Sequence, residues 1–118
     1  MKWLYILLLF FVFSCKKKDE VAPIISISSP TEGQVFSAGQ TVTIRATITD
    51  NEGVHMVHVI AVDNMGGHWV HSEEHVDGKS YEVTKSFVTN PATTYTITID
   101  AADHDENIAT KILTVSAH

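Results

Sequence analysis

Seven histidines occur in 118 residues, and five of them, His55, His58, His68, His71 and His75, fall within twenty-one positions. A neutral imidazole offers a nitrogen lone pair, so several of them together can ligate a borderline-soft divalent cation, with nitrogen about 2.0 to 2.1 Å from zinc. Whether they do so depends on which of them share a face. The segment reads as two strand-like runs, 54–63 and 68–76, around Asn64-Met65-Gly66-Gly67. A four-residue loop there pairs Asp63 with His68 and carries that register back along the hairpin. Val57, Val59, Ala61, Val70 and Val76 then share one face, and Met56, His58, Ile60, Trp69, His71, Glu73 and His75 the other. A shift of one residue scatters the valines over both faces, so the apolar pattern itself selects this register.

In it His58 faces Glu73, with His71 and His75 on the two diagonals, about 5 to 8 Å away between Cβ atoms. His58, His71, Glu73 and His75 are therefore the candidate metal ligands. Three imidazoles and a carboxylate suit Zn²⁺, Cu²⁺ or Ni²⁺ better than Ca²⁺ or Mg²⁺, which prefer oxygen. The alternative is that these are half-exposed strand histidines with no ligand. His55 and His68 fall towards the core face near opposite ends of the hairpin and are expected as rim residues. Trp69, Ile60 and Met56 on the outer face call for a covering element or for a docking partner.

A second set of donors is oxygen-rich. Asp50-Asn51-Glu52 and Asp103 to Asn107 fall in loops that meet at one end if their flanking strands are neighbours. Asp50, Asp103 and Asp105 form an alternative site, for Ca²⁺. Asp and Asn are equally the default turn formers, because their side chains bond nearby backbone. The twelve-residue calcium-loop pattern is absent. So are a G-x-S-x-G elbow, an H-E-x-x-H helix and a phosphate-binding glycine loop, and the reading is of a protein that is not an enzyme.

The elements that must position these residues are strands. From Ile24 onward the chain has 13 Thr, 11 Val and 10 Ile in 95 residues, which favour pleated, half-buried surfaces. Turn signals recur at Ser29-Pro30-Thr31-Glu32-Gly33, Ala38-Gly39, Asp50 to Gly53, Asn64 to Gly67, Asp77-Gly78, Asn90-Pro91 and Asp103 to Asn107. Between them lie seven runs, 24–29, 41–49, 54–63, 68–76, 80–88, 93–102 and 108–116. Short strands at this spacing predict an all-β, antiparallel sandwich or barrel. Residues 24–118 carry four basic against twelve acidic side chains, a net −8 with neutral histidines, which argues against a nucleic-acid partner.

The amino terminus differs from all of this. Met1-Lys2 precedes eleven uninterrupted apolar residues, Trp3 to Phe13, then Ser14-Cys15, in the layout of a secretory signal. As a helix the run would span about 16 Å, half of the roughly 30 Å hydrocarbon core. A small residue directly before the only cysteine resembles the lipobox of bacterial lipoproteins. The resemblance implies that residues 1–14 are removed and that Cys15 is lipidated and anchors the protein to a membrane. The alternative is a secreted protein with a free thiol. Lys18-Asp19-Glu20, within the charged tether 15–22, resembles the surface-export signal of Bacteroidota lipoproteins, which implies an outer-membrane and surface-exposed location in the cell envelope. As a plain charge run it is a solvated tether.

Within 23–118, Pro23-Ile24-Ile25, Ser29-Pro30 with Gly33, Gly39 before a strand, Asp50-Asn51-Glu52-Gly53-Val54, and the close from Tyr95 through Ala101 and Asp103 to Asn107 resemble bacterial immunoglobulin-like domains. The histidines after Gly53-Val54 and after Gly66-Gly67 are similar to those of a family of short Bacteroidota lipoproteins of unassigned function. The resemblance implies an immunoglobulin-like β-sandwich of about seven strands, and a module that binds or spaces. The expected function is a lipid-anchored envelope binding module, with a transition metal on the histidine face. The competing reading is a domain that docks an envelope protein partner through the Trp69 face without metal.

Overall fold

The computed structural model describes residues 20–118. The apolar run, Cys15 and the Lys18-Asp19 part of the export-like motif lie outside the described residues. Eight strands form, in chain order β1 (Ile24–Ser29), β2 (Val35–Phe36), β3 (Thr41–Thr49), β4 (Val54–Asp63), β5 (His68–His75), β6 (Ser80–Val88), β7 (Thr93–Asp103) and β8 (Ile108–Ala117). Seven match the runs read from the sequence. The eighth, β2, has two residues and pairs in parallel with the end of β8, Val35 with Ser116 and Phe36 with Ala117. Two residues are too short for an alternating pattern, so this strand leaves no periodic signal in the sequence.

The strands make two sheets, one ordered β1-β3-β6 and the other β2-β8-β7-β4-β5. Alternation with period two fills the space between them. Val42, Ile44, Ala46 and Ile48 of β3 and Val83 and Phe87 of β6 face Val57, Val59 and Ala61 of β4, Tyr95, Ile97, Ile99 and Ala101 of β7, and Leu113 and Val115 of β8. The buried cluster runs from Ile25 to Ala117, so the segment 20–118 contains its own core. Tyr95 is fully buried at the start of β7, and its hydroxyl accepts a 2.8 Å hydrogen bond from the Asn90 backbone N–H. That corner, with this strand order, defines an immunoglobulin-like sandwich.

Two features bear on function. β1 enters the domain at Ile24, opposite Thr49, beside the loop that begins at Asp50. The open side between edge strands β5 and β6 is closed by Glu74. Its carboxylate accepts hydrogen bonds from the Tyr81 hydroxyl, from Lys85 Nζ at 2.6 Å and from Ser72 Oγ at 3.1 Å.

Candidate histidine face and loop end

The five-stranded sheet turns its outer face to solvent, and this face carries the histidines. β4 and β5 pair in the register that the valines select, with Met56 opposite His75, His58 opposite Glu73, Ile60 opposite His71 and Ala61 opposite Val70. The register breaks at the hairpin's closed end, where Val62 rather than Asp63 meets His68 and Trp69 becomes an extra residue in β5. A bulge re-aims the side chains beside it. Trp69 consequently leaves the outer face to which strict alternation assigns it. Its ring packs against the core, 5.6 Å from Tyr95 and 6.3 Å from Phe87 between ring centres. Its indole Nε1 donates to Asp63 Oδ2 at 2.8 Å. Trp69 is therefore half-buried against the core and is not presented on the outer face with Met56 and Ile60.

The same carboxylate organises the turn. Asp63 Oδ1 accepts from the backbone N–H of Met65 and of Gly67, each at 2.8 Å. The Trp69 indole, then the Gly67 and Met65 amides, hold the Asp63 carboxyl below the usual carboxylate range. A Cβ on Gly67 would lie 2.6 Å from Asp63 Oδ2, so any larger residue there displaces this carboxylate.

The four ligand candidates divide into two neighbourhoods. His58 and His71 are adjacent, their ring centres 5.4 Å apart, and His68 follows 5.7 Å beyond His71. His75 is instead beside His55, at 5.6 Å, and His55 is 4.6 Å from His104. Glu73 is exposed opposite His58. Among the described residues no three His, Cys, Asp or Glu side chains already stand in a geometry that would hold a metal ion. His55 and His68 are both exposed rather than turned to the core. His55 is an extra residue in β4, between Val54 opposite Asp103 and Met56 opposite Ala102, and His68 sits at the other bulge. Both departures from strict alternation come from bulges.

On its other side His58 faces Asp100 of β7. Its Nδ1 is 3.7 Å from Asp100 Oδ2, and Asp100 Oδ1 accepts from Thr110 Oγ1 at 2.6 Å. His58 Nε2 is buried and, among the described residues, has no hydrogen-bond partner. This ring borders a depression of about 240 Å³ lined by Met56, Asp100, Ala101, Ala102 and Ile108. Ile108 and Ile112 are 65% and 64% exposed, and with Met56 they give this face the apolar character that strict alternation assigns to Trp69. Asp100 escaped the sequence reading because its relation to His58 needs the β4–β7 pairing, which joins segments forty residues apart.

The acidic loops do meet at one end, since Val54 pairs with Asp103 and His104 lies against Gly53. Their carboxylates serve the backbone. Asp50 Oδ2 accepts from the N–H of Glu52 and Gly53 at 2.9 and 3.0 Å. Asp103 Oδ1 accepts from the N–H of Asp105 and Asn107, both at 2.9 Å, and its Oδ2 accepts from Asn107 Nδ2 at 2.9 Å. These are turn-forming roles, and no convergence of Asp50, Asp103 and Asp105 on a cation position is seen among the described residues.

Fold and topology place the protein among immunoglobulin-like sandwiches. Residues 23–110 match the bacterial Ig domain, and the chain belongs to that family. Two solved structures share the fold. A fibronectin(III)-like module of CbhA from Clostridium thermocellum has TM-score 0.54 at 19% identity, over 80% of this chain and 96% of the module. A chain of the complex between zinc 2-glycoprotein and prolactin inducible protein from human seminal plasma has TM-score 0.55 at 10% identity, over 86% of this chain and 100% of that one. No protein of curated function shows significant similarity in sequence. Domains of this family are often found in extracellular or surface proteins, and folds of this class typically bind or space rather than catalyse.

Proposed function

We propose that the protein is a lipid-anchored lipoprotein of the bacterial cell envelope, whose immunoglobulin-like domain is a non-catalytic binding module taking a transition-metal ion on the outer face of its five-stranded sheet. The anchor rests on Ser14-Cys15 behind the apolar run. Surface display rests on the Lys18-Asp19-Glu20 tether. The metal reading rests on one observation: His58 and His71 are adjacent, and the carboxylate of Asp100 lies behind His58 while Nε2 has no partner. A carboxylate facing the far nitrogen of an imidazole orients the ring and makes it a stronger ligand. Glu73 or His68 completes the set once the exposed side chains turn.

Calorimetric titration of the folded domain, residues 20–118, with Zn²⁺, Cu²⁺ and Ni²⁺ tests this. His71→Ala is expected to weaken binding at least tenfold, and Asp100→Asn about 10- to 100-fold, while His118→Ala leaves it unchanged. Imidazole ligates only when neutral, so affinity falls on acidification from about pH 8 to about pH 5. If no ion binds tighter than about 0.1 mM, worth about 5.5 kcal/mol, the metal reading fails. The exposed Ile108, in the row of Met56, and Ile112, in the row of Ile60, favour a second reading, in which this same face docks an apolar surface of an envelope protein.

A further inference from the structure

We propose that His55, His75 and His104 form a second transition-metal site, at the loop end of the domain and separate from the His58–His71 pair. Three distant segments deliver these rings to one place: the bulge of β4, the last residue of β5 and the first residue after β7. His55 is the middle ring, 4.6 Å from His104 and 5.6 Å from His75 between centres. Two imidazoles on one tetrahedral ion, each with its nitrogen about 2.0 to 2.1 Å from the metal, have ring centres roughly 5 Å apart. The His55–His104 and His55–His75 spacings bracket that value, and His75 and His104 must swing toward each other for all three to share one ion.

The backbone holds the rings in range. Val54 and Val57 both point into the core, so the extra residue of the bulge turns His55 outward between them. The His55 carbonyl accepts a 2.9 Å hydrogen bond from the N–H of Val76, which ties the bulge to the residue following His75. His104 lies over Gly53, where a Cβ would come 3.8 Å from its ring. All three imidazoles are exposed, so an arriving ion has open access and core packing does not account for their grouping. Their nitrogens do not yet converge. Closing on an ion calls for side-chain rotation, which exposed residues undergo in picoseconds to nanoseconds.

The surroundings favour a cation. His55 borders a depression of about 490 Å³ whose lining includes Asp103 and Glu106, and the domain as a whole carries net negative charge. An all-imidazole set selects Zn²⁺, Cu²⁺ or Ni²⁺ over Ca²⁺ and Mg²⁺. Three protein nitrogens leave a fourth position for water or for a donor from another molecule.

The test is a Zn²⁺ and Ni²⁺ titration of residues 20–118, read by calorimetry and by the side-chain nitrogen resonances of the histidines. The loop-end site predicts that His55, His75 and His104 resonances shift together. His104→Ala and His55→Gln should each weaken that event at least tenfold, with the far-ultraviolet dichroism of the fold retained. The double variant His58→Ala/His71→Ala should leave it intact, even if the face site proposed above does not exist. Loss of all binding in that double variant overturns the inference. So does binding in His104→Ala and His55→Gln that stays within twofold of the parent, or the absence of any event tighter than about 0.1 mM in the parent.

Discussion

Asp63 illustrates how much one side chain can decide on this domain. It closes the β4–β5 turn through two backbone amides and reaches back to the Trp69 indole, drawing the largest side chain of the hairpin onto the core. Gly67→Ala puts a Cβ where the Asp63 carboxylate stands, so the carboxylate must leave and the indole loses its acceptor. We expect a fall in Tm of roughly 4 to 8 °C for a domain of this size, together with a changed emission maximum of Trp69. Asp63→Ala should reproduce both effects. Unchanged melting and emission in Gly67→Ala would mean that the turn does not hold the ring. Without knowledge of the bulge, period-two alternation sends Trp69 to solvent. The same rule handles Val57, Val59, Ala61 and Val70 correctly, because each lies where the ladder is regular.

At the scale of elements, the weak point of an open sandwich is the side where two edge strands face each other, and here Glu74 bridges it. Hydrogen bonds from Lys85, then from the Tyr81 hydroxyl and Ser72, lower its carboxyl from the ordinary 4.5 to about 2, and the same contact raises the Tyr81 phenol. A carboxylate whose folded-state value is depressed stabilises fully above its ordinary value, and that contribution is lost as pH falls from about 4.5 through about 2. With 39% of the Glu74 side chain exposed, solvent screening holds the net contribution to about 1 kcal/mol or less. Urea denaturation should show the parent losing stability between pH 5 and pH 2.5 more steeply than Glu74→Gln, and parallel acid limbs would remove the bridge from the account. The strands themselves were legible because β-branched runs and turn residues alternate so regularly. Glu74, Asp100 and His104 were not, since the contacts of Asp100 and His104 join segments distant in sequence and those of Glu74 to β6 cross from one sheet to the other, and such pairings depend on which strands become neighbours. The parity of Glu74 with the inward-facing Val57 was visible, but Lys85 as its partner was not.

For the whole molecule, the proposed anchor fixes where the domain works. Cys15→Ala should block lipidation, so the protein is found in the soluble fraction or retains its uncleaved leader, and protease accessibility on whole cells is lost. Several acyl chains at about 0.8 kcal/mol per buried methylene would make such an anchor stable. Membrane association unaltered by this substitution would end the lipoprotein reading. Given that anchor, the register of Ile24 against Thr49 acquires a directional meaning. The chain enters the sandwich at the end that bears Asp50, Gly53 and His104, while His118 pairs with Phe36 and Ala38 at the opposite pole. Eight tether residues, 15–22, reach at most about 26 to 29 Å. Under the proposed anchor, the imidazole-bearing pole is thus leashed within that stand-off of the bilayer, and the carboxyl-terminal pole lies at the far end of the sandwich from the tether.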